Sequence, residues 1–384
     1  VSQQTFTGKD PSTGTRVRID VHDGVIVGIE PAAQPEDDEP WIAPGLIDLQ
    51  VNGHADGDAN AANPSPAQIE TMARTLAQKG VTRFLPTIIT GSKDEMRDRL
   101  IAIVSAVSES LDARRAVAGI HVEGPSLSPE DGPRGVHPRE HIRPPSISEF
   151  ESWLDIAGDL LKVVTLSPHH DGAVEATRFL VEQGVRVAIG HTHADEEAIL
   201  AVVDAGATLS THLGNGAHQV LPRHPNYIWT QLAEPRLVAG VIADGHHLPD
   251  STLKSILAAK GRDGAFLVSD AVSTPAALVE DGRSTIGGDV RLTEEGALRH
   301  VATGLLAGSV QTLDVGVANT ARVTGSLDGA LYLATQAPAR AIGLPDVWRI
   351  GARADIIRFF WAPGDSAIQP AEVVVAGESI RIPS

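Results

Sequence analysis

With 384 residues, 42% of them hydrophobic and 21% charged, the chain can bury a large core and is too long for one small domain. Its formal net charge of −18 argues against nucleic acid and anionic membrane surfaces as partners, since both favour basic patches. Cysteine is absent, which excludes disulfides and thiolate metal ligands. No apolar run approaches the ~20 residues that span a bilayer, and no basic-then-apolar leader opens the sequence. A soluble cytoplasmic protein with no nucleic-acid and no membrane partner is expected.

In chain order, Thr15–Val21 and Val25–Ile29 read as strands joined through His22-Asp23-Gly24, a hairpin signal. The Pro- and Asp-rich stretch Pro31–Pro40 reads as a linker. Eight short apolar runs follow: Gly45–Val51, Val81–Ile89, Val117–Glu123, Lys162–Ser167, Val185–His191, Thr208–Leu213, Val238–Ala243 and Ala265–Asp270. Amphipathic stretches alternate with them. Ser65-Pro66 opens one that stops near Gly80, and Ser92-Lys93-Asp94-Glu95 is a capping box. Gly172–Gln183, Asp195–Ala205 and Asp250–Ala259 place apolar residues at helical spacing. The C-terminus returns to strands, Asp355–Phe360, Glu372–Ala376 and Ser379–Ile382, the last two paired around Gly377.

Eight apolar strands alternating with helices predict an α/β fold, a (β/α)8 TIM-type barrel, with a small β-sandwich domain formed by the N- and C-terminal segments. The expected division is 1–43 and 346–384 for the sandwich and 44–345 for the barrel. A flavodoxin-like open sheet is the alternative, and the lack of a dinucleotide glycine loop weighs against it.

Four polar residues sit where these strands run out: Glu123, His191, His212 and Asp270. A carboxylate and two imidazoles suit a transition metal such as zinc, and a further carboxylate suits a proton shuttle. In one barrel all four converge at one mouth. Each also has a plainer reading. Glu123 before Gly124-Pro125 suits a solvated loop, His191 or His193 suits a helix cap, a lone His212 suits a structural role, and Asp270 suits an N-cap.

The motifs carry a family resemblance. Pro44-Gly45-Leu46-Ile47-Asp48, Phe84-Leu85-Pro86-Thr87, His121-Val122-Glu123-Gly124-Pro125, Arg134-Gly135-Val136-His137, Gly190-His191, Thr211-His212-Leu213, Ile242-Ala243-Asp244-Gly245, Ser269-Asp270-Ala271, Leu306-Ala307-Gly308-Ser309 and Gly351-Ala352-Arg353-Ala354-Asp355 run in order from Pro44 to Asp355. The chain resembles the N-acetylglucosamine-6-phosphate deacetylases of the amidohydrolase superfamily. The resemblance implies Glu123, His191 and His212 as metal ligands, Asp270 as acid/base and His137 as the group that polarises the acetyl carbonyl. It also implies Asn215, Gly216 and Leu306, Ala307 and Gly308 as sugar contacts, and His247 near the distal end of the substrate. Read alone, His137 is a loop histidine in a proline-rich segment.

Where many amidohydrolases carry His-x-His for a second metal, this chain has Gln50-Val51-Asn52, whose amides are poor ligands. One divalent ion is therefore expected, zinc first, with Fe2+, Co2+ or Mn2+ as alternatives. His54, Asp56 and Asp58 are the candidate second site. The loop Leu221-Pro222-Arg223-His224-Pro225-Asn226-Tyr227-Ile228-Trp229 lacks the glycines of the family's phosphate loop. Arg223 is its candidate phosphate cation, and the aromatic residues suit an unphosphorylated sugar. Ser167-Pro168-His169-His170 also departs from the family's Pro-Glu. The resemblance implies a homodimer, because the phosphate loop in this family often comes from the neighbouring subunit. The expected reaction is deacetylation of an N-acetylated amino sugar, first its 6-phosphate. A cyclic-amide hydrolase or deaminase, and a silent sugar-binding barrel, are the competing functions.

Overall fold

The structure, a computed structural model, describes residues 3–33, 38–274, 283–284 and 290–382. Residues 34–37 of the expected linker lie outside them. Eight strands form one sheet in chain order: Leu46–Val51, Val81–Ile89, Ile120–Glu123, Leu161–Leu166, Arg186–Ile189, Leu209–Ser210, Val238–Ile242 and Ala265–Val268. Every neighbouring pair is parallel. The chain just past the eighth strand closes the sheet on the first, for Ala271 bridges Val51 and the Asp270 N–H donates to Gln50 O at 2.9 Å. With helices covering the outer face, this is the expected (β/α)8 barrel.

The strands are buried on both faces, as parallel strands must be. All six residues of Leu46–Val51 are inaccessible, including the polar Asp48 and Gln50. Helix starts follow local chemistry. Ser92 Oγ accepts the Glu95 N–H at 3.2 Å while Glu95 Oε2 accepts the Ser92 N–H at 2.7 Å, so the helix Lys93–Glu109 begins with a complete capping box. Asp195 caps Glu196–Asp204 through the Ala198 N–H. Ser65 makes no side-chain cap bond, and Pro66, whose φ is already helical, opens Pro66–Ala77 instead.

The terminal segments form a second, seven-stranded sheet in the order Glu378–Ile380, Gln369–Val375, Ile356–Phe360, Trp41–Pro44, Gln3–Lys9, Arg16–His22, Val25–Pro31. All pairs are antiparallel except Gln3–Lys9 with Trp41–Pro44. Asp23 (φ 47°) and Gly24 (φ 75°) make the two-residue hairpin between Arg16–His22 and Val25–Pro31, where both central residues need positive φ. Strand alternation divides the side chains between two cores. Ile42, Ile356 and Val374 join Phe6, Ile19 and Ile26 on one face. Ala43, Ile357, Val373 and Val375 join the barrel's core on the other.

Several elements were not foreseen, among them an N-terminal strand and a short sheet after the barrel. Gln3–Lys9 pairs with Arg16–His22, and a short antiparallel sheet, Arg283–Ser284, Val290–Leu292 and Leu298–His300, follows the eighth barrel strand. Its buried Val290 and Leu298 pack with Val272 and Ala307 beside the barrel mouth.

Candidate active site

The C-terminal ends of the barrel strands open into a cleft of about 960 Å³. Glu123 is the last residue of its strand, whereas His191, His212 and Asp270 each lie two residues beyond theirs. The backbone of all three is left-handed, with φ of 48°, 28° and 51°. Non-glycine residues hold such angles at a cost of about 1–3 kcal/mol each, and they cluster where function demands it.

Glu123, His191 and His212 are buried and converge. Glu123 Oε1 lies 3.3 Å from His191 Nε2 and 3.2 Å from His212 Nε2, and the two Nε2 atoms are 3.0 Å apart. His191 Nδ1 donates to Pro133 O at 2.7 Å, which turns Nε2 toward its neighbours. Two imidazole nitrogens and a carboxylate oxygen packed this closely need a cation or a proton among them. Burial raises the Glu123 carboxyl, but hydrogen bonds from His191 and His212 outweigh it and hold the group well below its usual range. His212 is raised, because the Glu123 carboxylate overcomes the burial that would lower it. The donor set fits a divalent transition ion: one oxygen, two imidazoles, ligand atoms all within 4.8 Å of one another, and an open cleft in front.

Asp270 stands beside this cluster. Its Oδ1 accepts from Asn52 Nδ2 at 2.7 Å and Gln50 Nε2 at 3.3 Å, while Gln50 Nε2 also donates to Glu123 Oε1 at 2.9 Å. Burial, and after it the Glu123 charge, raises the Asp270 carboxyl to about 6. Gln50 and Asn52 thus work as donors that orient the two carboxylates. Sequence reasoning saw them only as missing ligands. Gly216 (φ +54°) lets the backbone pass His191, since a Cβ there would lie 2.8 Å from Nδ1.

His137 lies on the loop after the third strand, buried, with Nδ1 2.9 Å from Thr90 Oγ1 and Nε2 4.0 Å from Glu123 Oε2. Burial, then the charge of His191, lowers it to about 3, so it is a neutral imidazole near pH 7. His247 lines the cleft, and its Nδ1 donates to Asp244 Oδ2 at 2.8 Å. Asp244 also accepts from the His246 and His247 N–H groups and from Ser309 Oγ. Thr90, Asp244 and Ser309 carry no assigned role in the sequence reading. A strand-end Asp244 in Ile242-Ala243-Asp244-Gly245 was the available signal for one of them.

Asn215, Gly216, Leu306, Ala307 and Gly308 line the same cleft. The structure does not bring Arg223 there. Arg223 is exposed, and Asn226 holds its loop outward by donating to Pro222 O and capping the helix Tyr227–Ala233. His54, Asp56 and Asp58 do not gather, and among the described residues Glu123, His191 and His212 are the one group with converging ligand atoms. His193 binds Ser128 Oγ at 2.6 Å, and His169 binds Ser167 Oγ at 2.6 Å.

The amidohydrolase family model matches residues 41–379. The chain is 31% identical to the N-acetylgalactosamine-6-phosphate deacetylase of Escherichia coli O157:H7, over 93% of each protein. It is 32% identical to the N-acetylglucosamine-6-phosphate deacetylase of Bacillus subtilis (strain 168), over 79% of this chain and 76% of that protein. Its fold is similar to that of a mutant N-acetyl-D-glucosamine-6-phosphate deacetylase from Mycobacterium smegmatis in complex with N-acetyl-D-glucosamine-6-phosphate. The TM-score is 0.87 at 26% identity, covering 99% of this chain and 100% of that one. A hydrolytic centre at the mouth of such a barrel and matches of this extent place the chain in the amidohydrolase family, among the N-acetylglucosamine-6-phosphate deacetylases.

Proposed function

We propose that the chain hydrolyses the acetamide of N-acetylglucosamine 6-phosphate to glucosamine 6-phosphate and acetate. One observation carries this reading: a buried carboxylate, Asp270, held by two amides beside a three-donor cluster at the mouth of the barrel. Glu123, His191 and His212 would hold one divalent metal, zinc first among the ions suited to these donors. Bound there, such an ion would supply Lewis acidity toward the acetamide carbonyl and toward water.

The chain's own residues do the rest. Asp270 takes a proton from the water whose oxygen attacks the acetamide carbon. As the C–N bond breaks, Asp270 returns a proton to the nitrogen, which leaves as the amine; an amide anion would be too poor a leaving group. The neutral His137, held through Nδ1 by Thr90, offers Nε2–H to the carbonyl oxygen as it gains charge, an interaction worth a few kcal/mol in comparable sites. Asn215, Gly216, Leu306, Ala307 and Gly308 bind the sugar, and His247, fixed by Asp244, meets its distal end.

Arg223 serves the phosphate from a second copy of the chain in a homodimer. Supporting this, Arg223 is exposed and outside the lining of its own cleft, and it lies between Val220, 87% exposed, and Trp229, 57% exposed, apolar groups that a subunit contact would cover. The barrel spans 44–345, and 1–43 with 346–384 make the companion domain. A cytoplasmic location follows from the amino-sugar phosphate substrate, and among the described residues no helix is long and apolar enough to cross a membrane.

Amine release from metal-loaded protein tests the reading, with N-acetylglucosamine 6-phosphate, its galacto epimer and the free sugar compared. The 6-phosphate of the gluco sugar should give the highest kcat/KM. Because the relatives are named for both epimers, the galacto 6-phosphate is the specific competitor. Release only from the free sugar would refute the phosphate assignment, and no release from any of the three would refute the deacetylase.

A further inference from the structure

A second concentration of charge lies far from this chemistry, near the N-terminal ends of the second and third barrel strands. There a cavity of about 300 Å³ opens between Arg83 and Arg115 of the barrel and Arg349 and Arg353 of the segment leading into the terminal sheet, with Val117 and Val347 among its apolar walls. Four guanidinium groups on one cavity are unexpected in a chain of net charge −18.

Their acids do not balance them. Asp355 Oδ2 alone receives Arg83 Nε at 2.7 Å and Arg353 Nε at 2.8 Å. Among the described residues the terminal nitrogens of Arg83 form no hydrogen bond, although its side chain is only 12% exposed. Among the described residues the acid facing Arg115 is Glu378, at 3.6 Å and largely in solvent, and Arg349 donates to Ile350 O alone, at 3.2 Å. The one acid on the cavity wall, Asp346, already accepts from Gln336 and faces Arg340. Burial pulls the Arg353 guanidinium below its ordinary value despite Asp355, and the charges of Arg83 and Arg115 add to that effect. Ion pairs that served only to join sheet and barrel would pair their charges. Here four guanidinium groups set against Asp355, Glu378 and Asp346 leave an excess of positive charge facing an open, partly apolar cavity at the small end of the usual range for ligand sites.

We propose that this cavity binds a phosphate group, free or as a small phosphate monoester, through Arg83, Arg115 and Arg349. Guanidinium forks match phosphate oxygens in pairs, and the apolar walls would take the body of an ester. The site is distinct from the catalytic cleft and stands whatever the substrate of that cleft. A ligand here touches both the barrel and the segment that enters the terminal sheet, so binding would tie the two together.

The test uses the full, metal-loaded chain and inorganic phosphate at constant ionic strength, read by calorimetric titration and thermal melting. Saturable binding with a rise in Tm is expected. Arg115→Ser combined with Arg349→Ser should weaken it at least tenfold. The melting point without phosphate should stay put, since both side chains are partly or fully exposed. Phosphate also has access to the catalytic cleft, so competition between phosphate and substrate in the amine-release assay is measured in parallel and should be unchanged in the double variant. If the double variant does not fold, Arg349→Ser alone should still weaken binding several-fold. Unchanged affinity in a folded variant would overturn the proposal. So would a wild-type protein that shows no saturable phosphate binding.

Discussion

Replacing Asp270 with asparagine tests both what this buried carboxylate costs the fold and the acid/base role proposed for it. Its oxygen Oδ1 accepts from Asn52 and Gln50, and an asparagine carbonyl can accept the same two bonds. The change therefore removes charge with little change of shape. Moving a carboxyl from an ordinary 3.8 to about 6 corresponds to about 3 kcal/mol of penalty on the charged form in the folded, metal-free protein. Below pH 3.8 the group is protonated in both states and contributes nothing. Between pH 3.8 and 6 the unfolded chain ionises first, so stability falls as pH rises, and above pH 6 the full penalty applies. Asp270→Asn should then stabilise the metal-free protein at pH 8 by up to about 3 kcal/mol and leave it unchanged near pH 3.5. At ~2.1 cal/mol/K of unfolding entropy per residue, 384 residues unfolding as one unit convert this to a Tm gain of about 4 °C. Melts of chelator-treated wild type and variant across this pH range measure it. Turnover of the metal-loaded variant should fall about 10²–10⁴-fold. A Tm no higher than wild type at pH 8 would refute the burial argument, and turnover within tenfold of wild type would refute the acid/base role.

Other expectations follow from the same geometry. Chelation should lower the Tm of the purified protein and zinc should restore it, by about 4 kcal/mol when zinc is a thousandfold above its Kd; Glu123→Gln should abolish the response. Gly216→Ala, whose Cβ would sit 2.8 Å from His191 Nδ1 at a left-handed φ, should weaken metal binding at least tenfold in a competition with a chromophoric chelator. Thr90→Val removes the partner of His137 Nδ1 and should lower kcat roughly tenfold with KM little changed, while Thr90→Ser restores it. An effect on KM alone would mean that Thr90 shapes the cleft without orienting the imidazole.

The barrel was legible because parallel strands buried on both faces need apolar runs, and those runs survive in the sequence as Val81–Ile89 or Ala265–Val268. Their ends were not. Thr208–Leu213 reads as a strand of six, yet only Leu209–Ser210 is in the ladder. Apolar character marks burial, and Leu213 is buried after the ladder has ended. Gln3–Lys9 was missed because its alternation is carried by only Phe6 and Gly8 among polar residues. Glu123, His191, His212 and Asp270 were visible as strand-end polar groups. Their orienting partners were not, because Thr90 and His137 lie 47 positions apart and Gln50 and Asp270 lie 220 apart. Spacing carries no signal across such distances, and only the closed barrel brings them together. The placement of Arg223 likewise depends on Asn226, whose side chain both caps the next helix and holds the loop.

The left-handed turns at His191, His212 and Asp270 explain why these residues, and not their neighbours, meet in the cleft. A strand continued in its ladder alternates side chains between the barrel interior and the helix layer. Breaking the ladder two residues early, with the backbone turned at the functional residue, frees each side chain from that alternation and aims it across the mouth. The strain of three such turns, about 3–9 kcal/mol together, has to be overcome by the surrounding fold. The hydrogen bonds that do so are visible. The Asp270 N–H is held by Gln50 O and its carbonyl by the Ser309 N–H, the Leu213 N–H after His212 is held by Gly240 O, and the carbonyl of His191 by the Ser128 N–H. Each is a bond from a neighbouring strand or loop, so the site's geometry is set by barrel closure. Loosening closure at Val51 and Ala271 should therefore disturb the metal cluster before it unfolds the outer helices.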